Sequence, residues 1–355
     1  MAKLSFNHAK ITCVCTVVPQ QRIYLDDEVC YYDDATKLQR LKIVVGLNSR
    51  TVAPCDVTPS DLMYDAARRL ITDMGIDSSS IDALVCVLDN PDYKCPPTAC
   101  ILQGRLGLSE HCMSFDITHG CAGYVYGLSV ASSLIESGLK RVLLLVGDTK
   151  THTINIKDRV SAPIFGDGAA ATLVEFSEKP TPSWFVLGTV GKSFENIMIP
   201  AGGARIPYSS DTAQETTDEF GNVRSLNQFR MNGRNVFDFT MTYVPQNIKS
   251  VMDFAGKNTD EIDFFILHQA NKSIIKNITS RAGVTDPEKV PTRALSEYGN
   301  LAVASIPSAI SNELFGQIEN KTILLSGFGV GLSYGSAIIH TDSIFAPETF
   351  IYQGE

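Results

Sequence analysis

Two short apolar segments with nearly the same pattern lie about 180 residues apart in this chain. Residues 81–87 are echoed by residues 262–268 at an offset of 181 (262 minus 81), and each segment follows a predicted helix that ends in glycine. Residues 141–145 match residues 321–325 at an offset of 180 (321 minus 141). Apolar runs of this length predict buried strands. Matched elements at a near-constant offset indicate an internally duplicated α/β unit.

The segment around Cys121 predicts a strand that leads directly into an amphipathic helix. A short segment with Phe115 and Ile117 is followed by small residues and Cys121, and Gly138 supplies a left-handed helix end. The predicted apolar face of the helix comprises Val125, Leu128, Ser129, Ser132, Leu134 and Ile135. A thiol at a helix N-terminus meets the positive end of the helix dipole, which favours the nucleophilic thiolate. The alternative is a buried structural cysteine, because free cysteines are commonly buried.

The second half of the repeat carries polar residues at its equivalent loops. The sequence His-Gln-Ala-Asn occupies residues 268–271, and residues 298–305 contain Asn300 just before a predicted helix. If the halves pack around a pseudo-dyad, the helices that begin near Cys121 and Asn300 converge, and His268 points into the same gap. The cysteine would then hold an acyl group, while two neutral donors polarise a thioester carbonyl and stabilise an enolate.

These motifs together resemble the β-ketoacyl-acyl-carrier-protein synthase III family of the thiolase superfamily. The resemblance spans essentially the whole chain, and its motifs lie at residues 121–124, 165–171, 268–271, 298–300 and 327–336. It implies a thiolase-like five-layered αβαβα fold, a homodimer and decarboxylative Claisen condensation. We expect an N-terminal half at residues 1–178 with the cysteine and a C-terminal half at residues 179–355 with the histidine and asparagine.

The resemblance also assigns roles to individual residues. Cys121 is expected to be the nucleophile, and its backbone N–H and that of Val330 would form the oxyanion hole. His268 and Asn300 would bond the thioester carbonyl of malonyl-acyl-carrier protein. The pantetheine arm is expected to pass near Gly233, Phe237, Ala270 and Asn271.

Two departures from the family pattern concern the acyl donor. Arg159 matches an arginine that stacks adenine in relatives that start from acyl-CoA, but residues 37–46 lack the partner tryptophan, which Arg40 could partly replace. Before Pro96, a bulky aromatic that closes the acyl pocket across the dimer is replaced by Cys95. The sequence therefore predicts a specialised synthase that prefers a donor other than acetyl-CoA, for example a longer acyl group delivered on a carrier protein. The alternative is an ordinary acetyl-CoA primer enzyme.

Composition sets limits on the partners. With 355 residues and 44% hydrophobic content, the chain can bury two domain cores. A net charge of −9 argues against nucleic-acid binding, and an acidic carrier protein would need a local basic patch. A solvated helix face is the alternative interpretation of that patch, and Ser273 stands where many relatives carry a docking arginine. The candidate docking residues are Lys272, Lys276 and Arg281.

The remaining predictions concern location and competing functions. Without an apolar signal region or a run near the roughly 20 residues that span a bilayer, we expect a cytoplasmic protein that does not bind membranes. Nine cysteines then indicate free thiols in a reducing compartment. We expect neither metal nor cofactor, since the substrates are thioesters of CoA or phosphopantetheine. Two alternatives remain: an acyltransferase that does not condense, although Asn300 is present, and a non-catalytic carrier-binding partner.

Overall fold

The computed structural model describes residues 1–31 and 35–354 of the chain. The strands are β1 Ala2–Phe6, β2 Ala9–Val18, β3 Arg22–Tyr24, β4 Ser49–Thr51, β5 Ala83–Leu88, β6 Met113–Thr118, β7 Arg141–Asp148, β8 Gly168–Phe176, β9 Ser183–Thr189, β10 Ile197–Met198, β11 Thr216–Thr217, β12 Val223–Arg224, β13 Arg230–Met231, β14 Phe264–Leu267, β15 Gly316–Gly329, β16 Ser333–Ala346 and β17 Phe350–Ile351. The α-helices are α1 Ala35–Val45, α2 Pro59–Asp73, α3 Thr98–Arg105, α4 Gly123–Glu136, α5 Gly233–Ala255, α6 Lys272–Ala282, α7 Arg293–Tyr298 and α8 Ser305–Glu313.

The helix ends follow local sequence signals. The Asn232 side chain accepts a hydrogen bond from the Asn235 N–H at 3.1 Å and so caps the start of α5. Gly256 ends the same helix in the left-handed region at a φ of 65°, which favours glycine because it lacks a Cβ. The glycine-terminated helix predicted before the second apolar segment is therefore present.

The strands form two sheets with similar strand pairing. The first has the order β6-β5-β7-β8-β2, and the second has the order β14-β15-β16-β9-β1. In each sheet a parallel pair, β5 with β7 or β14 with β15, is followed by antiparallel neighbours. Strands β16 and β2 meet at Phe345 and Cys13, so the sheets are continuous at this point.

Three apolar layers separate the sheets and helices. The central layer joins α4 and α8 to the inner faces of both sheets. One outer layer packs α2 and α3 on the first sheet, and the other packs α5 and α6 on the second. Because each sheet is covered on both faces, its parallel strands are apolar on both sides, as in β7. The layer order is αβαβα, as the family resemblance implied.

The strand register shows that the offset between the two copies of the repeat differs by one residue from the predicted value for the second strand pair. In the first sheet Ala83 lies opposite Val142, and in the second Phe264 lies opposite Ile323. Both pairs are therefore related by an offset of 181 (264 minus 83 and 323 minus 142). The offset of 180 that the sequence pattern gave for the second pair is wrong, because two apolar runs can be aligned at neighbouring registers.

Three further features complete the fold. Strand β1 pairs with β9 of the second sheet, and β17 pairs with β2 of the first, so both chain ends cross the predicted boundary between residues 178 and 179. The polar stretch at residues 202–227 carries the short antiparallel pair β11–β12. Within the parts of the chain that the structure describes, none of the helices has both the length and the apolar character of a membrane span.

Candidate active site

Cys121 lies in the short turn between the end of β6 and the start of α4, and 7% of it is exposed. The turn packs closely because its neighbours are small. A Cβ at Gly123 would lie 2.7 Å from Val87 Cγ1 and 3.0 Å from Val303 Cγ2. Since Val303 belongs to the second half of the repeat, the start of α4 is in contact with the segment that follows Asn300.

The loop after β15 covers the cysteine from the other side. A Cβ at Gly329 would lie 3.0 Å from Cys121 Sγ, so glycine lets this backbone approach the sulfur. A Cβ at Gly120 would likewise lie 3.0 Å from Val330 Cγ2. Val330 is therefore beside the turn that carries the cysteine, as expected from the family resemblance.

His268 follows the last residue of β14, a buried strand in the second sheet. Its backbone N–H donates to the Ser326 carbonyl at 2.8 Å, and its ring lies edge-on to Phe328 with centroids 5.3 Å apart. The side chain is almost fully buried. Burial lowers the pKa of His268 to about 3, although a backbone hydrogen bond with Ala302 opposes the shift. The imidazole is therefore neutral at neutral pH and can donate a hydrogen bond through a ring N–H.

Asn300 is oriented by hydrogen bonds at its side-chain oxygen. Oδ1 accepts from the Ala302 N–H at 3.0 Å and from Ser305 Oγ at 3.4 Å. The backbone is held as well, because the Asn300 N–H donates to the Ile164 carbonyl and its carbonyl accepts from the Gly166 N–H. With Oδ1 occupied, the amide presents Nδ2 as a donor.

These side chains line one cavity of about 70 Å³. Cys121, His268, Asn300 and Val330 come together there, as expected from the pseudo-dyad, while their chemical roles stay predictions. The other residues of the lining are Lys150, Ile164, Phe165, Ile197, Phe229, Met231, Val236, Thr240, Ala270, Asn271, Ile274, Phe328 and Gly329. A thiol, a neutral imidazole and an amide in an apolar cavity can hold an acyl thioester and polarise a second one.

The expectation of a ready thiolate is not met in the free protein. Burial raises the pKa of the Cys121 thiol to about 12, and the nearby Lys150 ammonium only partly opposes this. The helix dipole is worth about 1 kcal/mol near a helix end, which is less than the cost of desolvating an anion. Cys121 is therefore a neutral thiol before substrate enters.

Lys150 and two carboxylates form a buried cluster that the sequence analysis missed. Lys150 Nζ lies 2.6 Å from Asp89 Oδ2 and 3.8 Å from Asp148 Oδ2. Burial disfavours ionisation of Asp89, but the adjacent ammonium holds its pKa below the usual range. Burial and the Asp89 charge raise the pKa of Asp148 well above its ordinary value. The available signal was that Asp89 and Lys150 follow β5 and β7, parallel neighbours whose carboxyl ends share one sheet edge.

The remaining predicted binding residues divide into two groups. Ala270 and Asn271 line the cavity, and the Asn271 side chain also caps α6 by accepting from the Ile274 N–H at 2.7 Å. The structure does not place the second group in the described lining of the cavity. This second group consists of Arg40 on α1, Cys95 between β5 and α3, Arg159 after β7, and Gly233 and Phe237 at the start of α5.

The three candidate docking residues lie on α6, which starts beside the cavity. Lys272, Lys276 and Arg281 are exposed. Lys272 and Lys276 are four residues apart and so share one face of the helix. Arg281 donates a hydrogen bond to the Met241 carbonyl at 3.1 Å, which ties its guanidinium to α5. The basic face therefore consists chiefly of the two lysines.

Comparison with known proteins identifies the family of this chain. The family model of 3-oxoacyl-[acyl-carrier-protein] synthase III matches residues 115–191, and the model of its C-terminal part matches residues 252–341. A putative 3-oxoacyl-[acyl-carrier-protein] synthase 3 of Campylobacter jejuni is 38% identical over 99% of both chains. The chain belongs to the 3-oxoacyl-[acyl-carrier-protein] synthase III family. The predicted family and enzyme class, an acyltransferase of the ketosynthase type, are confirmed.

Other relatives of the family extend this agreement to the fold. The β-ketoacyl-[acyl-carrier-protein] synthase III of Lactococcus lactis is 30% identical over 94% of this chain and 99% of its own length. The crystal structure of 3-oxoacyl-(acyl-carrier protein) synthase from Burkholderia xenovorans superimposes with a TM-score of 0.91, at 34% identity and 99% coverage of both chains. The predicted thiolase-like fold is therefore confirmed.

Proposed function

We propose that this synthase condenses a cysteine-bound acyl group with malonyl-acyl-carrier protein in fatty-acid or specialised acyl-chain biosynthesis. The reaction releases carbon dioxide and gives a β-ketoacyl thioester. The single observation that carries the assignment of residues is that Cys121, His268 and Asn300 line the same cavity. Each supplies a group that one half-reaction requires: a nucleophile for acyl transfer and two neutral donors for enolate formation.

In the first half-reaction Cys121 takes the acyl group. Its sulfur attacks the carbonyl of the donor thioester, the carbon–sulfur bond of the donor breaks, and the thiol proton leaves with the departing carrier thiol. The tetrahedral oxyanion would be bound by the backbone N–H groups of Cys121 and Val330. The close packing of Gly329 against Cys121 Sγ supports this assignment, since it holds the loop of Val330 beside the sulfur.

In the second half-reaction malonyl-acyl-carrier protein enters the emptied site. His268 and Asn300 Nδ2 would donate hydrogen bonds to its thioester carbonyl as carbon dioxide leaves and the enolate forms. The enolate carbon attacks the acyl carbonyl, the carbon–sulfur bond to Cys121 breaks, and the departing thiolate takes a proton from solvent. The neutral state of His268 supports this role, because a donor without charge stabilises the enolate oxygen without retaining the carboxylate that must leave.

Carrier docking, assembly and location belong to the same proposal. The exposed Lys272 and Lys276 would contact the acidic carrier beside the cavity entrance. A homodimer would pair copies of β6, which is an edge strand of the first sheet with Met113 44% exposed. We also assign the protein to the cytoplasm, which agrees with the free thiols of the eight cysteines that the structure describes.

The choice of acyl donor depends on the size of the residue that closes the acyl pocket. Cys95 is exposed in a single chain, where a partner could bring it to the end of the acyl pocket. A residue smaller than an aromatic would leave space for additional methylenes, each worth up to about 0.8 kcal/mol when buried. We therefore propose a medium-chain acyl group, delivered on a carrier protein, in preference to acetyl-CoA.

Intact mass spectrometry of the purified protein tests the proposal. The protein would be mixed with acetyl or octanoyl groups on CoA and on acyl-carrier protein, and then with malonyl-acyl-carrier protein. We expect one acyl adduct on the protein, which digestion should locate on the peptide that contains Cys121, followed by a β-ketoacyl product on the carrier. An adduct without condensation would indicate the non-condensing acyltransferase, and no adduct with any donor would indicate the carrier-binding partner. Fastest loading by acetyl-CoA would exclude the preference for a longer donor.

A further inference from the structure

Lys150 is a buried charged residue in the lining of an otherwise apolar cavity. Its exposure is 2%, and its ammonium also lies 4.7 Å from the centre of the Phe229 ring. Among the lining residues that the structure describes, Lys150 alone carries a formal charge at neutral pH, because His268 is neutral. Placing an ammonium in such surroundings is costly unless it is paired and hydrogen-bonded.

The hydrogen bonds of this ammonium are incomplete. Nζ carries three donors. Asp89 Oδ2 accepts one of them at 2.6 Å, whereas Asp148 Oδ2 is 3.8 Å away, which exceeds hydrogen-bond distance. No other hydrogen-bond acceptor for Nζ occurs among residues 1–31 and 35–354. Donors therefore remain for an oxygen atom that enters the cavity beside Cys121.

The charges around Lys150 cancel. The ammonium is balanced by the ionised Asp89, while burial and the Asp89 charge raise the pKa of Asp148 well above its ordinary value and so disfavour a second negative charge. Burial also lowers the pKa of His119, whose imidazole interacts electrostatically with Asp89, so it too is neutral at neutral pH. An additional carboxylate would bring a buried charge with no counter-ion, whereas a neutral oxygen acceptor would not. A hydroxyl or oxo group is thus the best match.

The acyl donor is better suited to supply this oxygen than the malonyl extender. Lys150 follows β7 in the half that carries Cys121, whereas the extender carbonyl is assigned to His268 and Asn300 of the other half. An ammonium on the malonyl carboxylate would stabilise the ground state and oppose loss of carbon dioxide. The same contact to a hydroxyl or oxo group on the acyl chain has no such penalty.

We propose that Lys150 makes this synthase selective for acyl donors that carry a neutral hydroxyl or oxo oxygen on the acyl chain. The proposal rests on the function proposed above, since it assumes that Cys121 accepts the acyl group. A site whose buried donor requires a partner discriminates strongly against an analogue that lacks the oxygen, because the donor is then left unpaired.

Loading rates with donors of equal chain length test this selectivity. The probes are the CoA and carrier-protein thioesters of butyryl, 3-hydroxybutyryl, 4-hydroxybutyryl, 3-oxobutyryl and succinyl groups, and the adduct on Cys121 is followed by intact mass. We expect a hydroxyl or oxo donor to load about 10- to 100-fold faster than butyryl. Succinyl, which carries a carboxylate, should load no faster than butyryl. In Lys150→Met, the ratio of the loading rate of an oxygen-bearing donor to that of butyryl should be close to one.

The matched control is Lys249→Met, which removes an exposed lysine from α5 and should keep the wild-type ratio. Equal loading of butyryl and all the oxygen-bearing donors by the wild type would overturn the proposal, whether or not Lys150→Met folds. A preference that survives in a folded Lys150→Met protein would overturn it as well. If the wild type accepts no donor at all, the proposed function itself fails. Loading of all donors at equal rates would overturn only the selectivity proposal.

Discussion

The two halves of the repeat place different chemistry at equivalent positions. At the common offset of 181, Asp89 after β5 corresponds to Ala270 after β14, and Asp148 at the end of β7 corresponds to Gly329 at the end of β15. The first half thus collects Asp89, Asp148 and Lys150 around its cysteine, while the second half presents neutral donors and a glycine loop. The two halves therefore share one strand arrangement and differ in the residues at their strand ends, which fits the proposed division of roles between acyl group and extender.

The difference in charge fits this division. Polarising a thioester carbonyl and releasing carbon dioxide requires donors that stabilise an enolate without attracting the carboxylate, and the neutral His268 and Asn300 meet this need. Holding an acyl group requires a nucleophile and a shaped pocket, where a buried ion pair can add selectivity. Mutations in the first half should therefore alter acyl loading, and mutations in the second should alter decarboxylation.

Removing the nucleophile should produce the largest effect. Cys121→Ala leaves no sulfur in the cavity, so the acyl adduct should vanish and condensation should fall by on the order of 10⁶, as for other catalytic nucleophiles. Intact mass after mixing with an acyl thioester measures the first effect. Cys112→Ala and Cys95→Ala are the matched controls and should still acquire the acyl group. A covalent adduct on Cys121→Ala would contradict the assignment of the first half.

The donors of the second half should show the opposite pattern. His268→Ala and Asn300→Ala should still load acyl groups on Cys121, whereas malonyl decarboxylation should fall by on the order of 10² to 10³ each, the usual loss for one preorganised donor. Release of carbon dioxide and the acyl adduct would be measured on the same samples. A variant that decarboxylates normally yet cannot load would show that the roles of the two halves are reversed.

The fold and the central residues could be predicted because their signals are local. Apolar runs, glycine helix ends and the motifs around Cys121, His268 and Asn300 are contiguous in the sequence, and the repeat relates them across the pseudo-dyad. The one-residue error in the second offset has the same origin, since strands buried on both faces show no alternation that marks their register.

The buried charge cluster could not be predicted in the same way. Asp89 and Lys150 are 61 residues apart in the sequence, and a charged residue after a strand is normally exposed. Their burial depends on the register of β5 with β7 and on the packing of the second half of the repeat against the first half. The pairing of β1 with β9 was missed for a similar reason, because a strand of mostly exposed residues has no pattern that identifies its partner.

The neutrality of His268 predicts how stability depends on pH. Its native pKa of about 3 lies below the ordinary 6.5, so between these values the unfolded chain binds a proton that the native protein does not. Stability should therefore fall as the pH falls, by about 1.4 kcal/mol per pH unit for this group, or about 2 kcal/mol from pH 7.5 to pH 5. Urea unfolding of the wild type and of His268→Gln at both pH values measures it. The difference in free energy of unfolding between the two proteins should shift by that amount. A constant difference would contradict the neutral state of His268.

The smallest expected effect concerns Cys95, which lies in the first half of the repeat. Cys95→Phe should shorten the acyl pocket that Cys95 is proposed to close across the dimer, and so shift loading towards shorter donors. Each methylene that is no longer buried costs up to about 0.8 kcal/mol, or about fourfold in relative loading rate. Rates for acetyl, butyryl, hexanoyl and octanoyl donors measure the shift, and Cys55→Phe, at another exposed cysteine, is the control. Malonyl decarboxylation should not change in either variant, because His268 and Asn300, the residues proposed to act on the extender, lie in the second half. An unaltered chain-length profile for Cys95→Phe would remove Cys95 from the acyl pocket, and a loss of decarboxylation alone would contradict the division between the halves.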